Sequence, residues 1–244
     1  MHSLRFRLGI ARLNMLAPLH FILSRSELRS LLSPDHSGAA MLELQRRYQG
    51  HGLFRNISAW QVESEYCRLV DWVSQQRPRV ILEIGTHAGG TLFAWSRIAS
   101  EMVVSVDLPG GIHGGGYPGV KRWLYREFVS DRPGVSMQIF RADSHSESVR
   151  DQVKEALGGR SIDFLFIDGD HTYQGVSRDF QLWSTLVTPG GHVAFHDILP
   201  QVSQVDCGVD RLWSELKCQY PSFEIIADPN QAWAGIGVLQ IKPS

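Results

Sequence analysis

Val80-Ile81-Leu82-Glu83-Ile84-Gly85-Thr86-His87-Ala88-Gly89-Gly90-Thr91, continued by Leu92 to Ser100, is the stretch whose reading decides the fold. Val80 to Ile84 is a short apolar run rich in β-branched residues and broken only by Glu83. Periodicity cannot separate a buried strand from a buried helix in so short a run. Arg77-Pro78 before it and the glycines after it favour the strand. Leu92, Trp95, Ile98 and Ala99 share a face at helical spacing, so a helix is expected next, its free N–H groups pointing into the glycine turn. A second apolar run, Met102 to Val106, closes on Asp107, 22 positions after Gly85. That spacing suits a carboxylate gripping the two ribose hydroxyls of a nucleoside-bearing cofactor.

The turn reads Glu-x-Gly-x-x-x-Gly and not Gly-x-Gly-x-x-Gly, because His87 stands where a dinucleotide motif has its second glycine. A side chain there crowds a pyrophosphate, so NAD fits poorly. A cofactor without phosphates, its amino-acid tail in the turn, is tolerated. The stretch resembles the first motif of class I S-adenosylmethionine-dependent methyltransferases. A strand–turn–helix of another α/β protein remains the competing reading, since short glycine motifs are weak signals.

At 244 residues the chain is long enough for a sizeable core. A net charge of -1 gives no electrostatic reason to expect nucleic acid. Cys67, Cys207 and Cys218 are too few and too scattered for a disulfide framework or a zinc site, and a cytoplasmic protein with reduced thiols is expected. No apolar run reaches the length of a bilayer span. Met1 to Leu32 carries Arg5, Arg7, Arg12, Arg25 and Arg29 against Glu27 alone. Asn14, Pro18 and His20 interrupt its apolar centre, which argues against a signal peptide. A basic amphipathic segment of this kind can lie on a membrane surface. The preferred expectation is a helical arm, residues 1–60, packed on the domain of residues 61–244 or on a second subunit of a homo-oligomer.

Beyond the arm, helices are expected over 39–48 and 61–75. Strands are then expected over 79–84, 102–106, 135–140, 162–167, 192–195, 223–227 and 235–241. The helices between them fall at 91–100, 120–130, 147–157, 173–186 and 210–220. This alternation predicts an α/β fold, a mostly parallel sheet with helices on both faces. Only Asp228-Pro229-Asn230 and its neighbours separate the last two strands, too few residues for a crossover helix, so the last strand should run antiparallel.

In an open parallel sheet, ligands collect outside the carboxyl ends of the strands. Five successive strands here end in acids: Glu83, Asp107, Asp143 (beside Ser144), Asp168 and Asp197. Asp143 and Ser144 could instead cap the next helix; in a functional role, Asp143 could accept a hydrogen bond from an adenine amino group. The fourth and fifth strands should lie about 5 Å apart, which brings Asp168 and Asp197 together. Two such carboxylates repel unless a cation or a proton lies between them, and a hard divalent ion such as Mg²⁺ would relieve this. His171, three residues after Asp168, has an ordinary pKa suited to a general base. Ile112 to Gly119, with three consecutive glycines and Tyr117, reads as a lid near the pocket.

Phe166-Ile167-Asp168-Gly169-Asp170-His171-Thr172-Tyr173, Pro189-Gly190-Gly191 and Phe195-His196-Asp197 together resemble the small metal-assisted O-methyltransferases. The macrocin-type sugar O-methyltransferases and the cephalosporin-hydroxylase-like proteins are nearest in pattern; catechol O-methyltransferase is more distant. The resemblance covers about Glu63 to Asp197. It implies a Rossmann-like class I sheet and an S-adenosyl-L-methionine site at Glu83, Gly85 and Thr91 (methionine tail), Asp107 (ribose) and Asp143 with Ser144 (adenine). It implies a divalent metal on Asp168, His196 and Asp197, with His171 as base. His196 departs from the family's oxygen ligand, and imidazole suits transition metals better than Mg²⁺. The expected activity is methyl transfer to a hydroxyl of a small acceptor, a sugar or secondary metabolite. The alternatives are a non-catalytic cofactor-binding or membrane-docking subunit and, more remotely, a nicotinamide-linked oxidoreductase.

Overall fold

The computed structural model describes residues 15–110, 116–201 and 206–242. Arg5, Arg7, Arg12 and residues 112–115 of the expected 112–119 lid lie outside them. Three helices come first: α1 (Ala17–Leu31), α2 (Gly38–Arg47) and α3 (Glu63–Gln76). The Ser37 hydroxyl caps α2 by accepting the Ala40 N–H. Then follow β1 (Val80–Ile84), α4 (Gly90–Ile98), β2 (Met102–Asp107), α5 (Arg122–Glu127), β3 (Ser136–Arg141), α6 (Glu147–Leu157) and β4 (Ile162–Ile167). The chain closes with α7 (Tyr173–Trp183), β5 (Val187–His196), α8 (Val209–Leu216), β6 (Ser222–Ile225) and β7 (Ile236–Gln240).

The sheet order is β3-β2-β1-β4-β5-β7-β6. The first five strands are parallel, and β7 runs antiparallel to both β5 and β6. Strand alternation sorts the core into two layers. Ile81, Val103, Phe164 and Phe166 face a layer shared with α1 to α5. Val80, Leu82, Ile84, Leu165 and Ile167 face the layer of α6, α7 and α8.

Two expectations needed adjustment. The fifth strand starts at Val187, five residues before the expected His192, because a register shift against β4 between Ile162 and Phe164 absorbs Pro189-Gly190-Gly191. The helix expected over 120–130 shrinks to a 3₁₀ turn (Gly119–Lys121) and the short α5.

The arm packs on the sheet domain. Leu28 is fully buried, and the Glu127 carboxylate accepts hydrogen bonds from Arg25 (2.8 Å) and Arg29 (3.0 Å). Glu27 accepts the Gln49 and Gly50 N–H groups at 2.8 and 3.0 Å. This cover explains why α4, expected to be amphipathic, is buried from Gly90 through Arg97. Arg97 survives there because Asp131 holds it bidentately, at 2.6 and 2.9 Å. No helix among the described residues is long and apolar enough to cross a membrane.

Candidate active site

The strand order places the carboxyl ends of β3, β2, β1, β4 and β5 side by side, and the chain reverses its winding between β1 and β4. A cavity of about 250 Å³ opens there. Such a switch point is where a doubly wound sheet leaves room for a ligand.

The floor is the β1–α4 turn. Gly85 sits at φ +88°, and a Cβ on it would lie 2.0 Å from the Asp168 carbonyl oxygen, so only glycine lets the ends of β1 and β4 approach this closely. Gly90 has the same constraint from the other side, since a Cβ would meet the Ala59 nitrogen at 2.1 Å. His87 also takes a left-handed φ of 44°, which turns its ring onto Trp60, 4.4 Å between centroids.

Gly85, Thr91, Asp107, Asp143 and Ser144, five of the six residues expected to hold a cofactor, all line this one cavity. Asp107 is buried, and its Oδ1 accepts the Thr86 N–H at 3.2 Å. Burial raises its pKa, partly opposed by the Thr86 and His87 N–H groups. Asp143 Oδ1 accepts the His145 N–H at 2.9 Å; it closes a turn and does not cap α6. Glu83, the sixth, is fully buried and absent from the lining. The alternation of β1 turns it beneath the turn, where burial pushes its pKa up to about 8 against the opposing effect of the Thr91 and Thr86 hydroxyls.

Asp168 lines the cavity and also begins a second cluster. Its Oδ1 is 3.4 Å from His171 Nε2 and 3.3 Å from His196 Nδ1. Asp197 Oδ2 is 3.1 Å from His171 Nδ1 and 3.3 Å from His196 Nδ1. All four residues named for chemistry therefore meet at one place. Locally, Asp170 accepts the Thr172 N–H at 2.8 Å, and Thr172 caps α7 by accepting the Gly175 N–H at 3.0 Å. This sets His171 just ahead of the helix. Asp197 sits at φ +65°, a left-handed backbone unusual for a non-glycine residue, which aims its carboxylate back at the histidines.

Burial disfavours charge on every member, yet the histidines outweigh it and hold Asp168 well below the usual carboxylate range. The two carboxylates likewise raise His171 and lift His196 to about 10 against its burial. The donors of Asp168, His171 and Asp197 lie within 4.8 Å of one another, an oxygen–nitrogen–oxygen set that fits a divalent cation. This is not the expected trio, because His171 takes the place assigned to His196. His196 instead bridges both carboxylates through Nδ1, and its buried Nε2 has no hydrogen-bond partner.

Several lining residues carried no sequence signal. Trp60 and Gln61 come from the loop before α3, and Gln61 Nε2 donates to Asp168 Oδ2 at 2.6 Å across 107 positions. His145 lines the cavity beside Asp143 and Ser144; the buried Asp179 carboxylate, 3.7 Å away on α7, raises its pKa. Its position directly after Asp143-Ser144 was the one available hint.

Residues 82–198 match the family model described as "Methyltransferase domain". Over that span the chain is similar to methyltransferase domains. Two solved structures share its fold. The O-methyltransferase from Bacillus cereus, in complex with SAH, is 19% identical with a TM-score of 0.54, covering 91% of this chain and 97% of that one. The O-methyltransferase TomG from Streptomyces achromogenes, in complex with SAM, is 16% identical with a TM-score of 0.55, covering 86% and 92%. Uncharacterized protein y4gI of Sinorhizobium fredii is 29% identical over 152 residues, 60% of this chain. The chain spans only 16% of that relative's length.

Proposed function

We propose that this protein is a methyltransferase that moves the methyl group of S-adenosylmethionine to a hydroxyl oxygen of a small acceptor, a sugar or a secondary metabolite. One observation carries the reading: the cavity lined by the expected cofactor residues shares Asp168 with the cluster of His171, His196 and Asp197. Asp107 would accept both ribose hydroxyls, and Asp143 with Ser144 would meet the adenine. Gly85 and Thr91 would receive the methionine tail at the amino end of α4. Glu83 would act on that tail through the turn from beneath.

The sulfonium methyl is already activated, so the protein's task is alignment. The acceptor oxygen attacks the methyl carbon, the C–S bond breaks, and sulfur leaves as a neutral thioether. His171 takes the hydroxyl proton. It is the more exposed histidine, with 21% of its side chain accessible against 4% for His196, and the carboxylates on either side orient its ring and stabilise its cation.

A second reading follows from the donor set. Asp168, His171 and Asp197 would hold a divalent ion such as Mg²⁺ or a transition metal, which lowers the acceptor hydroxyl's pKa. His171 cannot ligate an ion and take the proton through the same nitrogen. Asp197→Ala should lower turnover more than 100-fold while S-adenosylhomocysteine affinity, measured by calorimetry, stays within about threefold. Undiminished turnover in that variant refutes the site. Undiminished wild-type turnover in chelator selects the base reading; loss restored by added divalent ion selects the metal.

A further inference from the structure

Helix α1 is apolar on two opposite sides. Ala17, Ser24 and Leu28 turn inward and are buried. On the other side Met15, Leu16, Leu19, Ile22 and Leu23 are 77, 48, 53, 61 and 42% exposed. At 100° per residue these five fall within an arc of about 120°. They are five of the ten exposed large apolar side chains among the described residues, so the exposure is concentrated on one face.

Charge says what this face meets. Residues 1–26 contain Arg5, Arg7, Arg12 and Arg25 and no acid, in a chain whose net charge is -1; Arg25 is already paired with Glu127, which leaves a formal +3 on Arg5, Arg7 and Arg12. The first acid, Glu27, turns inward onto the Gln49 and Gly50 N–H groups. A second copy docked by the same face would present the same residues 1–26, which hold four arginines and no acid to pair with them. An anionic lipid surface complements them.

We infer that α1 docks flat on an anionic membrane surface. Met15, Leu16, Leu19, Ile22 and Leu23 enter the headgroup–acyl boundary, and the positive charge of the sequence ahead of them favours an anionic surface over a neutral one. This surface is independent of the methyl-transfer chemistry.

The test is co-sedimentation of the full chain with phosphatidylcholine vesicles, with and without roughly a third phosphatidylglycerol, at low and high salt. Binding is expected with the anionic vesicles only, weakening as salt rises. L19E/I22E should reduce partitioning at least about tenfold. Both side chains are solvent-exposed, so its circular dichroism and melting should match the wild type. R5E/R7E/R12E should also lose binding and leaves the α1 face untouched, so it keeps the test alive if the first variant misfolds. Absence of wild-type binding, equal binding to neutral vesicles, or binding unchanged in both variants overturns the inference. A wild-type dimer made monomeric by L19E/I22E, with no vesicle binding, overturns it in favour of a second copy.

Discussion

Asp107→Asn isolates the charge at the cofactor end of the site. Asp107 ends β2 with 8% of its surface exposed, and its Oδ1 accepts the Thr86 N–H at 3.2 Å. Asparagine keeps the shape and can present its amide oxygen to Thr86, so the turn survives. What is lost is a charged acceptor for two ribose hydroxyls. Hydrogen bonds to charged groups contribute about 1.5–3 kcal/mol and neutral ones about 0.5–1.5, so the change should cost about 2–3 kcal/mol over two bonds. That corresponds to roughly a 30- to 150-fold rise in the Kd for S-adenosylhomocysteine, read by isothermal titration calorimetry. Stability should not fall in parallel. Burial already raises the Asp107 pKa, so the folded apo protein disfavours the ionised carboxylate, and a neutral amide relieves that at neutral pH. The Tm without ligand should hold or rise. A Kd within threefold of wild type refutes the ribose assignment. A matching loss of Tm would show that the turn collapsed and that affinity fell for that reason.

Gly85→Ala should destabilise the fold by more than about 1 kcal/mol through its left-handed backbone, with the clash against the Asp168 carbonyl adding to this; an unchanged urea midpoint would contradict the close approach of β1 and β4. Glu83→Gln tests a pH dependence. The folded carboxyl is raised to about 8, so the stability of its neutral form is fully present below the unfolded value near 4.5 and is lost as pH rises through 8. Wild-type stability should therefore fall relative to the Gln variant across that window, by at most about 1.4 kcal/mol per pH unit, and parallel urea midpoints at pH 5, 6.5 and 8 would show that Glu83 does not titrate there.

Much of this protein is written locally. The alternation of apolar runs with helical faces specifies strands and crossover helices, and a parallel sheet wound in that way must gather its strand ends along one rim. Glu83, Asp107, Asp143, Asp168 and Asp197 were therefore legible as a set, because each ends a run that reads as a strand. His171 was legible because it stands three positions after Asp168 at a helix start. The short link between the last two strands announced their reversal, but only the assembled sheet inserts β7 between β5 and β6.

Tertiary structure alone decided which side of the floor each group occupies. Strand pairing turned Glu83 under the turn and kept Asp107 on the cavity wall. It set His196 between two carboxylates and brought the donors of Asp168, His171 and Asp197 within 4.8 Å of one another. Gln61, Trp60 and Asp179 reach the site from segments far away in sequence, and no periodicity encodes such contacts. The reason is physical: hydrophobic period and turn chemistry are properties of neighbours along the chain, whereas a pKa, a ligand set or an uncovered helix face depends on whichever distant atoms exclude water around it.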